Sequence, residues 1–343
     1  MAKLTGLRLE RARASKQFRD GRFHNTSGAT AALKGPPLAV MRDFFLGGRA
    51  RVPRSPLPID SPLARWAMPV ETGLRVTWLG HSASLLEIDG VRILIDPMFC
   101  ERASPVQFAG PKRFHPVPVK FEELPKLDVV VLSHDHHDHL CPSSIEALAK
   151  RRVPFVTSLG VGVHLENLGV EPTLITELDW FEEHWLPDGA MKITATPAQH
   201  FSGRGIGDRN TTLWSSWVLS TAKRSVFFSG DTGPTQELAE IGKRFGPFDL
   251  SLIEIGAWHP AWGAIHLGPQ RALEAFEMLG GGTFLPIHWG TFDLALHVWD
   301  EPAEPLLSLA RSSGARVITP RIGQAIEPSR VDGPTPWWRS VAR

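Results

Sequence analysis

The sequence predicts a four-layer α/β sandwich, in which two mixed β-sheets pack face to face with helices on the outside. Two observations support this fold class. Apolar runs typical of strands clearly outnumber helical patterns along the chain. Hairpin signals come early, whereas strand and helix patterns alternate around Asp128 and again around Ser225. Because hairpins favour antiparallel pairing and intervening helices favour parallel pairing, both sheets should be mixed.

The regular pattern begins at Leu74. Residues 74–80 and 84–88 are typical of strands, and Asp89-Gly90 predicts a hairpin turn into a third strand at 91–96. The wholly apolar run 128–132 is typical of a strand that is buried on both faces. Further strands are predicted at 153–157, 191–196, 212–219, 225–229, 249–255, 282–287 and 315–319, and helices at 143–151, 160–168, 235–244, 269–279 and 303–313.

These elements place one large domain at residues 73–330. Residues 24–72 are rich in Pro, Gly, Ser and Arg, and we predict that residues 1–72 form an N-terminal extension that wraps the core. Its first ~23 residues are strongly basic, a composition that favours disorder. Within it, residues 36–48 form an amphipathic segment that either lies on a membrane surface or caps the edge of the sandwich. Residues 331–343 are predicted to be a C-terminal tail.

The composition excludes several classes of protein. Of the 343 residues, 42% are hydrophobic and 21% charged, which rules out disorder over most of the chain. The net charge of +1 argues against a nucleic-acid partner. No run approaches the roughly 18 apolar residues of a membrane-spanning helix, and no apolar segment follows the basic N-terminus as in a secretion signal. The two cysteines, Cys100 and Cys141, make no disulfide framework and indicate a reducing compartment.

The strongest functional signal is the segment HDHHDH, which directly follows the apolar run 128–132. It offers His134, His136, Asp138 and His139, and imidazole nitrogen and carboxylate oxygen are the ligands that Zn²⁺ prefers. In extended backbone, side chains two residues apart point the same way, so His134 and His136 can hold one ion. Asp138 and His139 can then face a second ion. The spacing predicts a two-metal site rather than a solvated histidine-rich loop.

Three more candidate ligands each follow an apolar run. They are His200 in TPAQH, Asp231 in GDTG and His288 in IHWGTF. Layered α/β folds place their sites at such strand ends. Taken singly, each has an ordinary structural explanation, either a hydrogen-bonded histidine or a tight turn. Together with the HDHHDH segment they make seven ligands, which suits a dinuclear site with a bridging carboxylate.

This set resembles the metallo-β-lactamase-fold hydrolases, and more narrowly the phospholipases D that hydrolyse N-acylphosphatidylethanolamine. The narrower resemblance is carried by LRVTWLGH (74–81), RASPVQFAGPKRF (102–114), ELDWFEE (177–183), TPAQH (196–200), GDTG (230–233), IGKRFGPFDL (241–250) and IHWGTF (287–292). It covers the chain from near residue 70 to near residue 325. Strings such as GPKRF are more specific than the metal motif, which the whole superfamily shares.

The resemblance implies a role for each candidate residue. His134, His136 and His200 would hold one Zn²⁺, Asp138, His139 and His288 would hold the other, and Asp231 would bridge them; Mn²⁺ or Fe²⁺ suit the same ligands. Asp96 and His81 would orient ligands from behind. The catalytic residues would be Asp138 and His266, which lies beside the scissile phosphate. The predicted substrate contacts are Trp258, Trp262, Ile265 and Phe292, which together with Trp299, Leu294 and Leu296 either line an apolar channel or belong to the core.

The chain departs from the family pattern at three positions near the predicted site. Pro234 replaces a tyrosine after GDTG, and Ile265 replaces a polar residue before His266. Glu254 stands where an apolar residue or proline is expected. All seven candidate ligands are retained, so these departures concern the parts of the site that recognise the substrate.

The implied function is that of a dinuclear zinc phosphodiesterase. It would hydrolyse N-acylphosphatidylethanolamine or a related phospholipid to phosphatidic acid and N-acylethanolamine, by attack of a metal-bridging hydroxide on phosphorus. The alternative is a soluble hydrolase of the same fold that acts on a lactone, a β-lactam or a small phosphodiester. A non-catalytic metal scaffold is disfavoured because no ligand is lost. We further expect a cytoplasmic protein with peripheral contact at the inner membrane surface, forming a homodimer.

Overall fold

The computed structural model describes residues 4–30, 42 and 49–341. The strands in these ranges are β1 (Phe18–Arg19), β2 (Arg22–Phe23), β3 (Leu74–Gly80), β4 (Ala83–Ile88), β5 (Val91–Ile95), β6 (Val129–Leu132), β7 (Phe155–Ser158), β8 (Ile175–Leu178), β9 (Glu183–Trp185), β10 (Lys192–Thr196), β11 (Ser216–Ser220), β12 (Ser225–Phe228), β13 (Leu250–Glu254), β14 (Phe284–Ile287) and β15 (Ala325–Ile326). The α-helices are α1 (Gly6–Ala14), α2 (Leu63–Trp66), α3 (Pro142–Lys150), α4 (Gly162–Asn167), α5 (Glu237–Phe245), α6 (Gly268–Met278) and α7 (Ala303–Ser313). Within the described ranges, none of these helices has the length and apolar character needed to cross a membrane.

The strands form two large sheets and a small hairpin. The seven-stranded sheet has the order β15-β3-β4-β5-β6-β7-β8, and the six-stranded sheet has the order β14-β13-β12-β11-β10-β9. Both are mixed. Strands β5 to β8 are parallel and β3 to β5 antiparallel, while β12 to β14 are parallel and β9 to β12 antiparallel.

The alternation along β6 shows how the layers stack. Val129 and Val131 pack between the two sheets, in a core that also contains Phe227 and Leu252 of the six-stranded sheet. Side chains at alternate positions of a strand point to opposite faces. Val130 and Leu132 therefore face the other side, where they join a second core with residues of α3 and α4. On the far side of the six-stranded sheet, α6 packs against β13 and α7. The predicted fold class is confirmed.

The element bounds differ from the sequence prediction in a few places. Strands β8 and β9 were not predicted; each lies at the edge of its sheet and carries polar residues, so the apolar signal is weak. The run 315–319 was predicted as a strand, but it makes only an isolated bridge between Val317 and Phe284.

Within the described residues of the basic N-terminus, 4–23, the chain forms α1, β1 and β2 instead of the predicted disorder. Helix α1 and the β1–β2 hairpin bury Ala12 and Phe23 in a small core that includes Trp214. The charges on α1 find carboxylate partners in the main domain. Arg8 pairs with Glu166 and with Glu177, at 2.8 Å in each case. The amphipathic segment predicted at 36–48 lies outside the described residues, apart from residue 42.

Two further features of the chain ends and cysteines depart from expectation. The predicted C-terminal tail packs into the central core, where Trp337 stacks on Trp289 at a centroid distance of 5.5 Å.

Cys100 and Cys141 form a disulfide that joins the segment after β5 to the start of α3. Disulfides are rare in reducing compartments. The expectation of reduced cysteines is therefore wrong for this structure, and the cytoplasmic location loses that support.

Candidate metal centre

The candidate ligands gather at one edge of the sandwich because of strand direction. Strands β5 and β6 run parallel, so Asp96 and the HDHHDH segment leave the seven-stranded sheet at the same end. In the six-stranded sheet, β12 and β14 run in the same direction. Strand β10 also runs in this direction, because it is antiparallel to β11 and β11 is antiparallel to β12. Asp231, His288 and His200 follow these three strands. The topology thus brings all seven predicted ligands together.

The first group contains His134, His136 and His200. Nδ1 of His136 lies 2.8 Å from Nε2 of His134 and 3.3 Å from Nε2 of His200. Burial lowers the pKa of His134 and of His200 well below the usual value, and neighbouring imidazoles add to the effect. Neutral imidazoles present lone pairs, so three ring nitrogens converge in the form that binds a metal ion.

The second group contains Asp138, His139 and His288. Oδ2 of Asp138 lies 3.3 Å from Nε2 of His288 and 3.7 Å from Nε2 of His139. Burial alone would lower the pKa of His288, but the carboxylates of Asp231 and Asp138 raise it to about 10. The pKa of His139 is also raised, against the effect of burial, by Asp231, Asp138 and Asp96. Several carboxylates thus surround these two imidazoles, an electrostatic environment that also favours a metal cation.

Asp231 lies between the two groups. Its Oδ1 is 3.1 Å from Nε2 of both His139 and His288, whereas its Oδ2 is 3.6 Å from Nε2 of His200 and 3.8 Å from Nε2 of His134. One carboxylate oxygen thus faces each group, as a bridging ligand requires.

The polar atoms of the second group show that the residues fit a metal ion. Oδ1 of Asp231 and Nε2 of His139 and His288 are buried and lack an aligned hydrogen bond to any described residue. Buried polar atoms are normally satisfied, and a cation at their common point would satisfy all three. One potential ligand atom from each residue of the first group and one from Asp231 all lie within 4.8 Å of one another. The same holds for the second group together with His81.

Asp96 and His81 each lie against candidate ligands. Asp96 accepts hydrogen bonds from the backbone N–H and the hydroxyl of Ser133, and its Oδ2 lies 2.7 Å from Nδ1 of His139. It therefore directs Nε2 of His139 toward the centre. Nε2 of His81 lies 2.9 Å from Oδ2 of Asp138, and its ring packs 3.9 Å from that of His288.

Asn25 of the N-terminal extension holds the backbone of His200 from both sides, which the sequence analysis missed. Its amide oxygen accepts the N–H of His200 at 3.0 Å, and its amide nitrogen donates to the carbonyl of His200 at 2.8 Å. The same oxygen accepts the indole N–H of Trp214 at 3.1 Å. The extension is therefore part of the support of one metal ligand.

We expect Asn25→Ala to weaken binding of one of the two metal ions by about 10- to 100-fold, the usual cost of losing support behind a ligand. Chelator competition followed by metal analysis measures this. Asn167→Ala, at the exposed end of α4, serves as the matched control. Equal metal affinity in Asn25→Ala and wild type would show that the clamp on His200 is dispensable.

A second missed residue is Glu254, the last residue of β13. Its carboxylate is fully buried and lies 2.8 Å from Nδ1 of His266. Burial would lower the pKa of His266, but this carboxylate raises it. Burial also raises the pKa of Glu254 itself. The sequence marked Glu254 only as a departure from the family pattern; its contact with His266 joins residues from two separate segments.

A cavity of about 320 Å³ opens onto the candidate centre. Its lining residues are His136, Asp138, Phe201, Arg209, Asp231, Ala257, Trp262, Ile265, His266, His288 and Leu294. Of these residues, Trp262 and Ile265 were predicted from the sequence as substrate contacts and Leu294 as a channel or core residue, whereas Phe201 and Arg209 were not predicted. Trp258 is not part of this lining and packs over Gly268 instead.

Phe292, a predicted substrate contact, and Trp299, predicted to line a channel or belong to the core, both lie outside the cavity lining. Phe292 is buried, with its ring 5.2 Å from that of His81 and beneath the guanidinium of Arg113. Trp299 is 2% exposed and belongs to the central core.

Comparisons with known proteins agree with this geometry. A family model described as the beta-lactamase superfamily domain matches residues 91–289. An uncharacterized protein of Mycobacterium tuberculosis is 42% identical over 332 residues, covering 95% of this chain and 88% of that protein. N-acyl-phosphatidylethanolamine-hydrolyzing phospholipase D 1 of Caenorhabditis elegans is 36% identical over 274 residues, covering 74% of this chain and 77% of that enzyme.

A solved structure supports the same assignment at the level of the fold. The isothiocyanate hydrolase from Delia radicum gut bacteria superposes with a TM-score of 0.61 at 22% identity, covering 74% of this chain and 98% of that one. With the family model spanning more than half of the chain, the chain belongs to the beta-lactamase superfamily of metal-dependent hydrolases, and it is similar to the N-acylphosphatidylethanolamine-hydrolysing phospholipases D.

Proposed function

We propose that this protein is a dinuclear zinc phosphodiesterase that hydrolyses N-acylphosphatidylethanolamine or a related phospholipid to phosphatidic acid and N-acylethanolamine. The observation that carries the proposal is the division of Asp231 between two ligand groups, with its oxygens 3.1 Å from His139 and 3.6 Å from His200. Such a pair of sites suits in-line displacement at phosphorus. The similarity to the Caenorhabditis elegans phospholipase D supports the choice of bond.

The ligand groups define what bound metal ions would contribute. Two divalent ions at such a site lower the pKa of bound water toward neutrality and offset negative charge on phosphate oxygens. His134, His136 and His200 would hold one ion, Asp138, His139 and His288 the other, and Asp231 both. Asp96 and His81 would fix the orientation of His139 and Asp138.

The cavity walls provide recognition for an amphiphilic phosphate. Trp262, Ile265 and Leu294 give an apolar wall that suits hydrocarbon. Arg209 lies over the ring of Phe201 at 5.0 Å, and that ring lies 4.5 Å from the imidazole of His136. A guanidinium in the lining of the cavity favours an anionic substrate.

His266 completes the proposed reaction as the residue that protonates the leaving oxygen. It lines the cavity between the two ligand groups, with its ring 5.1 Å from that of His200 and 5.3 Å from that of His288. General acids of this kind are found within reach of the bond that breaks. Asp138, the other predicted catalytic residue, would act as a ligand.

The size of the cavity favours one alternative. At about 320 Å³ it takes a headgroup and the start of a chain, so the remaining chains of a phospholipid must lie outside. A lactone, a β-lactam or a small phosphodiester would fit within it entirely. Peripheral membrane contact and a homodimer, both expected from the resemblance, belong to the lipid-hydrolase proposal.

The two functions are separated by a product assay. Zinc-loaded protein is given N-acylphosphatidylethanolamine in mixed micelles, with a lactone, a β-lactam and a soluble bis-aryl phosphate in parallel, and products are identified by mass spectrometry. We expect N-acylethanolamine and phosphatidic acid in equal amounts, and neither from His134→Ala. Hydrolysis of a soluble compound alone, by protein that holds two metal ions, would contradict the lipid substrate.

A further inference from the structure

Glu254 connects three segments of the site through its carboxylate. Oε1 accepts the backbone N–H of Thr232 at 3.0 Å and that of Leu267 at 3.2 Å. Oε2 lies 2.8 Å from Nδ1 of His266. Thr232 follows Asp231 directly, so the carboxylate ties the turn carrying the bridging ligand to the loop carrying His266.

The backbone contacts alone do not require a carboxylate. A glutamine has the same shape, and its amide oxygen would accept the same two N–H groups. What only a carboxylate offers is a second oxygen that accepts and never donates, and this oxygen faces Nδ1 of His266. Since burying a charge is costly unless it is paired, the pairing with His266 explains why a carboxylate is kept there.

The contact fixes which ring nitrogen of His266 faces the cavity. With Nδ1–H donated to Glu254, Nε2 is the nitrogen left for the cavity that His266 lines. The ring is stacked at 26° on that of His288 and meets that of His200 edge-on at 63°. His266 therefore has one orientation relative to both ligand groups.

We infer that Glu254 is a positioning residue for the reaction, acting through His266; this inference rests on the phosphodiesterase function proposed above. As the bond from phosphorus to the leaving oxygen breaks, its electron pair stays on that oxygen, which takes the Nε2 proton of the doubly protonated imidazole of His266, while Nδ1–H remains donated to Glu254. Water supplies the new P–O bond, and one of its protons later restores His266. Glu254 remains a carboxylate throughout and keeps Nδ1–H in place.

The sharpest test is Glu254→Gln combined with His266→Ala. The glutamine oxygen keeps the two backbone contacts, while its NH₂ group faces Nδ1, so that this nitrogen accepts a hydrogen bond and can no longer carry a proton. We expect kcat to fall by about 10- to 100-fold with KM and metal content unchanged. In the His266→Ala background the same substitution should cost nothing more, because the pathway through His266 is already lost. Glu183→Gln on the edge strand β9 is the matched control.

A spectroscopic readout keeps this inference separate from the choice of substrate. In zinc-loaded protein with ¹⁵N-labelled histidine, the Nδ1–H proton of His266 should resonate far downfield, and the signal should disappear in Glu254→Gln. Loss of the same signal in His266→Gln assigns it to His266. A signal that persists in Glu254→Gln, or an equal fall in kcat in both backgrounds, would overturn the positioning role. Absence of lipid hydrolysis by the wild type would instead contradict the proposed function.

Discussion

Asp231→Asn should lower the metal content from two ions per chain to one or none and reduce kcat by about 10³-fold or more, the scale of losing an essential catalytic group. The reason is the position of the carboxylate. Its Oδ1 lies 3.1 Å from the nitrogens of His139 and His288, and its Oδ2 faces the first group. The amide of asparagine presents a donor to one group, where its NH₂ cannot act as a ligand. Metal analysis by mass spectrometry and steady-state kinetics measure both effects.

The control for this substitution is Asp249→Asn. Asp249 pairs with Arg224 at 2.7 Å, and both side chains are partly exposed. Neither residue is a candidate ligand. We expect two ions and wild-type kcat in that variant, because a partly exposed pair contributes little to stability. Two tightly bound ions in Asp231→Asn would show that the carboxylate does not bridge.

His266→Ala should reduce kcat by about 10²- to 10⁴-fold, the range of a positioned general acid, while both metal ions remain. His266 lines the cavity but contributes no atom to the two groups that contain His134, His136, His200, Asp138 and His139. Loss of its ring therefore removes proton transfer without removing a proposed ligand. Kinetics on the metal-loaded variant, together with metal analysis, separate these two effects.

His184→Ala on the edge strand β9 is the matched control, since that histidine lies on the far edge of the six-stranded sheet. It should retain wild-type kcat. If His266→Ala matched the wild type as well, His266 would take no part in proton transfer. If instead it lost a metal ion, the residue would be a ligand rather than an acid.

Much of the candidate centre could be predicted from the sequence because strand ends carry it. Four ligands lie within the six residues of HDHHDH, so their proximity needs no tertiary structure. His200, Asp231 and His288 follow apolar runs, and strands that run in the same direction bring their carboxyl ends to one edge. Asp96 also follows a strand, β5, but its role was implied by the family resemblance.

The missed features all depend on contacts between distant parts of the chain. Asn25 is 175 residues from His200, and nothing in its local sequence indicates a contact with a metal ligand. The basic N-terminus suggested disorder because the partners of Arg8, Glu166 and Glu177, lie 158 and 169 residues further along the chain. The composition of a segment indicates how well it is solvated, whereas its order depends on the contacts that it makes with the rest of the protein.

The position of Glu254 illustrates the same limit at the site itself. The sequence shows an acidic residue at the end of a strand where an apolar one is expected, and offers no partner for it. Its partner, His266, lies 12 residues further on, beyond the loop that contains Trp262. The cysteines are a similar case: Cys100 and Cys141 are 41 residues apart, and a chain with two cysteines gives no pattern that indicates pairing.

In the proposed reaction, this site cleaves the bond between phosphorus and the oxygen of the N-acylethanolamine group. The most direct measurement is hydrolysis in H₂¹⁸O by the zinc-loaded protein, with mass spectrometry of both products and His134→Ala as the control. We expect one ¹⁸O in the phosphate of phosphatidic acid and none in N-acylethanolamine, with no turnover in the control. Label in N-acylethanolamine or in a released fatty acid would mean attack at carbon, and would contradict the phosphodiesterase function.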